Sequence, residues 1–199
     1  MDYMYEEKPK EKGGKWSYNY RSAGATATGV FFLHNGIHPI HATPENLEVI
    51  LIKRSDDSDA FPGAVALPGG FLDVGKETIE ECFIREVKEE LNFGITQSDI
   101  HLFTVTSNPN DDARVHVVNT CYMVCLPTGL KDMFKAGDDA VELKILKAMD
   151  VHLATKNNEI NWAFNHKDIF YSALSHFFRY RSIMFSLDDT YGNEIYAFN

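Results

Sequence analysis

The stretch from Thr78 to Leu91 limits what this chain can fold into more than any other. It holds neither Gly nor Pro, and Ile79, Phe83, Val87 and Leu91 recur at every fourth position. That is the period of a helix burying one apolar stripe. Asn92 and Gly94 follow as stop signals. The same segment is densely acidic. Glu86 and Glu90 fall one turn apart, and Glu89 lies three residues from Glu86, so the three carboxylates project together, about opposite the apolar stripe. Like charges at that spacing cost about 0.2–0.5 kcal/mol per pair. A hard divalent cation relieves that repulsion, and oxygen ligands of this kind suit Mg²⁺ or Mn²⁺. The ordinary alternative is a solvated acidic face. Two features count against it. Arg85 lies four residues from both Glu81 and Glu89, within reach of a carboxylate. Gly69 and Gly70 stand just before the helix, where backbone can approach a phosphate or a metal.

Around this helix the pattern alternates less regularly. Ala23–Leu33, Leu47–Arg54, Ile100–Ser107 and Val115–Leu126 read as strands, rich in β-branched and aromatic residues. Residues 35–46 and 55–63 read as loops, and Asn108–Arg114 as a polar one. Val141–Met149 is ambiguous between strand and helix, and Ile169–Tyr180 reads as a terminal helix. Strands and helices mixed in this way predict an α+β chain, an α/β/α sandwich with a mixed β-sheet between helices. The 199 residues fit one domain, expected over 23–182, with a polar N-terminal extension over 1–22 and a C-terminal tail over 183–199. Lys and Arg number 19 against 29 Asp and Glu, a net charge of −10. That balance opposes nucleic-acid binding but not a nucleotide substrate bridged by metal. No apolar run is long enough for a membrane span. Cys82, Cys121 and Cys125 form no CxxC pair and read as buried small residues in a reduced, cytoplasmic setting.

Leu67–Leu91, LPGGFLDVGKETIEECFIREVKEEL, resembles the Nudix box. The run from Glu77 through seven residues to Arg85-Glu86-Val87-Lys88-Glu89-Glu90 follows that motif step for step. Two departures stand out. Six residues rather than five separate Gly70 from Glu77, with Lys76 where the family usually has the Glu, and Phe93 precedes Gly94 where the family has Gly. We read the first as a one-residue bulge in the loop. The resemblance implies metal-assisted attack of water on a pyrophosphate phosphorus. It implies Gly70, Glu86, Glu89 and Glu90 as metal ligands, with these glutamates as the catalytic set. It also implies that Glu77 and Arg85 pair to brace the loop against the helix.

Further segments resemble the ADP-ribose pyrophosphatase branch of that family: Ala60–Asp73, Thr106–Arg114 with the strand after it, Ala136–Ala140 and Trp162–Ile169. They imply ADP-ribose as substrate, with Arg54, Phe61, Arg114, Asp138 and Asp139 as contacts. Ordinary readings stand beside these: a solvated turn for Asp138-Asp139, local packing for Phe61, and a cap or structural contact for His166. NADH, a dinucleoside polyphosphate or a damaged nucleoside triphosphate remain alternative substrates. A sensor that binds ADP-ribose without turnover is the rival of another class. The acidic charge and the roughly 20 residues after the last expected helix oppose the DNA-binding form of that sensor. Tyr3, Tyr5, Trp16, Tyr18 and Tyr20, with Phe177, Phe178 and Tyr180, are candidate surfaces for a homodimer.

Overall fold

The structure is a computed structural model and describes residues 22–35, 41–137 and 140–191. Tyr3, Tyr5, Trp16, Tyr18 and Tyr20 lie outside the described residues, as do Asp138 and Asp139. Seven strands form one mixed sheet: β1 (Gly24–His34), β2 (Leu47–Arg54), β3 (Val65–Ala66), β4 (Gly69–Phe71), β5 (His101–Thr106), β6 (Val117–Pro127) and β7 (Ala140–Lys147). β1 is central. It runs parallel to β6 along its whole length, and on its other edge pairs antiparallel first with β4 and then with β2. β5 closes the β6 side, while β3 and β7 both pair with β2.

Both sheet faces are covered, so β1 is buried without a break from Ala27 to Leu33. Ala27, Phe31 and Leu33 pack with Cys82, Phe83, Val87 and Leu91 of helix α1 (Ile79–Leu91). Val30 and Phe32 face the other way. They pack with Ala148 and Val151 of α2 (Ala148–Lys156) and with Ile169, Phe170, Ala173 and Phe177 of α3 (His166–Tyr191). The layers are therefore helix, sheet, helix.

The ambiguous Val141–Met149 segment divides. Its first part pairs with β2 as β7, and α2 starts directly at Ala148. The terminal helix begins earlier than its apolar pattern suggests and continues past residue 182 to Tyr191. Phe177 is only 1% exposed and packs at a tilt against Phe32, 5.3 Å between ring centres, so it serves the core and not an interface.

One contact fixes the height of α1 above the sheet. Phe83 stacks on Tyr122 at 5.1 Å and lies over Gly29, where an added Cβ would fall 2.1 Å from the ring. The start of α1 is fixed as firmly. Thr78 accepts the Glu81 N–H and the Glu81 carboxylate accepts the Thr78 N–H, a reciprocal cap. We predict that Gly29→Ala destabilises the fold by about 1–3 kcal/mol through overpacking. Urea unfolding with an unchanged midpoint would remove this contact as the spacer.

Candidate active site

β4 brings the glycine pair against α1, and Arg85 joins the two. Its guanidinium donates two bonds to Glu77 (Nε to Oε2, 3.0 Å; Nη2 to Oε1, 2.8 Å) and one to the Phe71 carbonyl (3.0 Å). Nη1 donates to Glu86 Oε1 at 2.8 Å and to Glu89 Oε2 at 3.0 Å. Glu77 also accepts the Asp73 N–H at 2.9 Å. The Arg85 bonds, helped by that N–H, hold the Glu77 carboxyl down at about 2. The additional loop residue is taken up in an exposed turn, where Lys76 bonds back to the carbonyl and carboxylate of Asp73.

The three glutamates differ. Glu89 is exposed. Glu86 is half-buried, and burial raises its pKa even though Arg85 opposes this. Glu90 is buried at 8% exposure, and its Oε2 accepts the Gly69 N–H at 2.8 Å. The carboxylates therefore do not stand opposite the apolar stripe. They begin at its flank, because a helix packed over a strand buries more than one line of residues. Among the described residues, no three metal-ligating side chains already converge on one point. The donors nonetheless fit a divalent cation in kind, since all are oxygens. An added Cβ at Gly70 would fall 2.2 Å from Glu86 Oε1, so glycine alone leaves room for this carboxylate against the loop backbone. The Gly70 carbonyl itself is turned toward α1, with the Cys82 thiol 3.9 Å away.

Beside these groups lies a cavity of about 180 Å³. Thr26, Thr28, Val117 and Asn119 of the sheet line it, with Gly69, Gly70, Phe71 and Glu90 on the α1 side. Arg54, Arg114, Phe164 and His166 complete its walls. Arg114 is clamped by Asp112 through two bonds (3.0 and 2.8 Å), which keep the Asp112 carboxyl below its usual range. Its guanidinium lies 5.5 Å from the Phe71 ring and 6.0 Å from Phe164. The Arg54 guanidinium lies 5.3 Å from the centre of the same Phe164 ring, and its Nε donates to the Ala60 carbonyl.

Of the substrate contacts expected from sequence, Arg54 and Arg114 thus meet at one cavity. Phe61 does not line it; it packs 4.6 Å from Phe164, which does. Phe164 was embedded in a recognised segment but not singled out, and Asn119 gave no signal at all. A polar residue within a strand has no periodic signature. Asn119 Oδ1 is buried with no hydrogen-bond partner among the described residues, an arrangement costing about 1–3 kcal/mol when nothing occupies the partner position.

His166 is a structural contact. Its Nδ1 accepts the Leu67 N–H at 2.8 Å, which tethers α3 to the approach to β4. Burial, with the nearby Arg54 charge, pushes its pKa down to about 3. Burial likewise lifts the thiols of Cys82, Cys121 and Cys125 to about 12, so all three are protonated packing groups. A depressed histidine pKa means the neutral form is the one the fold accepts. Its contribution to stability is complete above the unfolded value near 6.5 and is lost as pH falls from there toward 3. We therefore predict that lowering the pH from 7 to 5 reduces the urea midpoint more in the wild-type protein than in His166→Asn. Equal reductions would contradict the burial of a neutral ring.

The sequence matches the NUDIX domain family over residues 35–168. It is 34% identical over 138 residues to an ADP-ribose pyrophosphatase of Methanocaldococcus jannaschii, covering 69% of this chain and 72% of that protein. Among solved structures, a MutT/nudix family protein from Enterococcus faecalis superimposes with a TM-score of 0.52 at 31% identity. That match covers 64% of this chain but only 44% of the other. The NUDIX domain of Shewanella oneidensis NrtR, complexed with ADP ribose, gives a TM-score of 0.59 at 22% identity, covering 78% of this chain and 89% of that one, a likeness of fold.

Proposed function

The chain belongs to the Nudix family of pyrophosphohydrolases, and we propose that its substrate is ADP-ribose, hydrolysed to AMP and ribose 5-phosphate with Mg²⁺ or Mn²⁺ bound. One observation carries this reading: Glu90 and Gly70 line the same cavity as two arginines and two phenylalanine rings. Acidic oxygens for a cation thus adjoin cationic groups for a diphosphate and flat surfaces for a base. The similarity to an ADP-ribose pyrophosphatase supports the choice of substrate.

Glu86, Glu89, Glu90 and the Gly70 carbonyl would hold the metal. When bound, the metal neutralises diphosphate charge and acidifies coordinated water. Arg85 keeps Glu86 and Glu89 on one side of the helix, so little ordering is left to occur when substrate arrives. Arg54 and Arg114 face the diphosphate, and the clamp by Asp112 keeps Arg114 oriented for paired contacts. Phe71 and Phe164 give the cavity apolar walls beside these arginines. Proton removal from the attacking water falls to the carboxylate set. The substrate contacts include Asp138 and Asp139, which lie outside the described residues. The Gly137 N–H donates to the Glu90 carbonyl at 2.9 Å.

Products from ADP-ribose, NADH, a diadenosine polyphosphate and a nucleoside triphosphate, each with Mg²⁺ and Mn²⁺, test the reading. AMP with ribose 5-phosphate as the fastest pair is the expected result, and faster turnover of another compound would overturn the substrate. We predict that Glu90→Gln lowers kcat by about 10²–10³-fold with an unchanged circular dichroism spectrum, since a carboxamide oxygen can still accept the Gly69 N–H. Wild-type activity in this variant would exclude Glu90 from the chemistry.

A further inference from the structure

We propose that Asn119 recognises the 6-amino edge of a purine and so makes the cavity selective for adenine nucleotides. This rests on the cavity being the nucleotide site. Asn119 is near the start of β6, paired with Thr26 of β1 on one side and Thr106 of β5 on the other. It is 7% exposed, lines the cavity, and its Oδ1 has no partner among the described residues. A buried carboxamide normally satisfies both its oxygen and its amino group. Because Asn119 lines the cavity, a ligand there would supply the missing partner.

The neighbouring groups narrow what that partner is. Asp112 is committed to Arg114, and Asp111 to Asn165 at 2.7 Å. Both carboxylates line the cavity but already accept bonds from their own neighbours. His166 has its Nδ1 occupied by Leu67 and cannot charge near neutral pH, so its proton sits on Nε2 and the ring adds no cation. Phe71 and Phe164 give the cavity flat apolar walls, which suit a base more than a pentose. A carboxamide and a 6-aminopurine match donor to acceptor. Oδ1 takes the amino hydrogen, and Nδ2–H donates to the adjoining ring nitrogen.

The test is calorimetric binding of AMP and of purine riboside 5′-monophosphate, which lacks only the 6-amino group. The wild-type protein should prefer AMP by about 10–100-fold. Asn119→Leu should bind the two alike, with AMP reduced to the level of the analogue. Asn119→Thr matches its two threonine neighbours and carries the same test if the leucine variant does not fold. Equal binding of the two nucleotides by the wild-type protein would overturn the proposal. So would the same preference in wild type and variant, a fall in ribose 5-phosphate binding in its place, or no AMP binding at all. Turnover is scored separately. A wild-type protein that prefers AMP but leaves ADP-ribose intact keeps the base contact and loses the reaction.

Discussion

Everything at the site depends on the Arg85 guanidinium. It reaches Glu77 and the Phe71 carbonyl on the loop and Glu86 and Glu89 on the helix. Without it, the six glutamates between Glu77 and Glu90 would repel. With it, the loop has one position relative to α1, and Gly70 is pressed against Glu86. The bond to Glu77 is two-pronged and mostly screened from solvent, unlike an isolated surface ion pair. The sheet provides the other half of the constraint. Phe83 over Gly29 sets the height of α1, so Glu90 stands in the cavity wall while Glu89 faces solvent.

The cavity combines groups that arrive from distant parts of the chain. β4 and α1 bring acidic oxygens, the strand ends bring arginines, and the segment before α3 brings Phe164. His166 is the pin that makes the last of these possible, because its bond to Leu67 holds the start of α3 beside β4. Its neutral ring is a structural element placed at a functional site.

Much of this was legible in the sequence because it is periodic or motif-bound. The four-residue repeat placed α1 within a residue of its observed start, and the β-branched run LEVILIKR placed β2 over its whole length. The resemblance of Leu67–Leu91 to the Nudix box implied the Glu77–Arg85 pair that braces the loop. What was not legible depends on tertiary burial. Glu90 carries the same side chain as Glu89, yet packing hides one and exposes the other. Phe177 resembled a surface aromatic until the helix placed it on Phe32. Phe61 was singled out where Phe164 holds the wall, since adjacency to a turn says nothing about which ring faces inward. Asn119 is a polar residue near the start of a largely apolar strand, and only the surrounding cavity gives it meaning.

The central claim is that the carboxylates organised by Arg85 form a divalent-cation site. Titration of Mn²⁺ by electron paramagnetic resonance, in the wild-type protein and in Glu86→Gln, tests it without reference to any substrate. The account predicts saturable Mn²⁺ binding that weakens by about tenfold or more in the variant, with the fold intact by circular dichroism. Identical Mn²⁺ binding in the two proteins would contradict it.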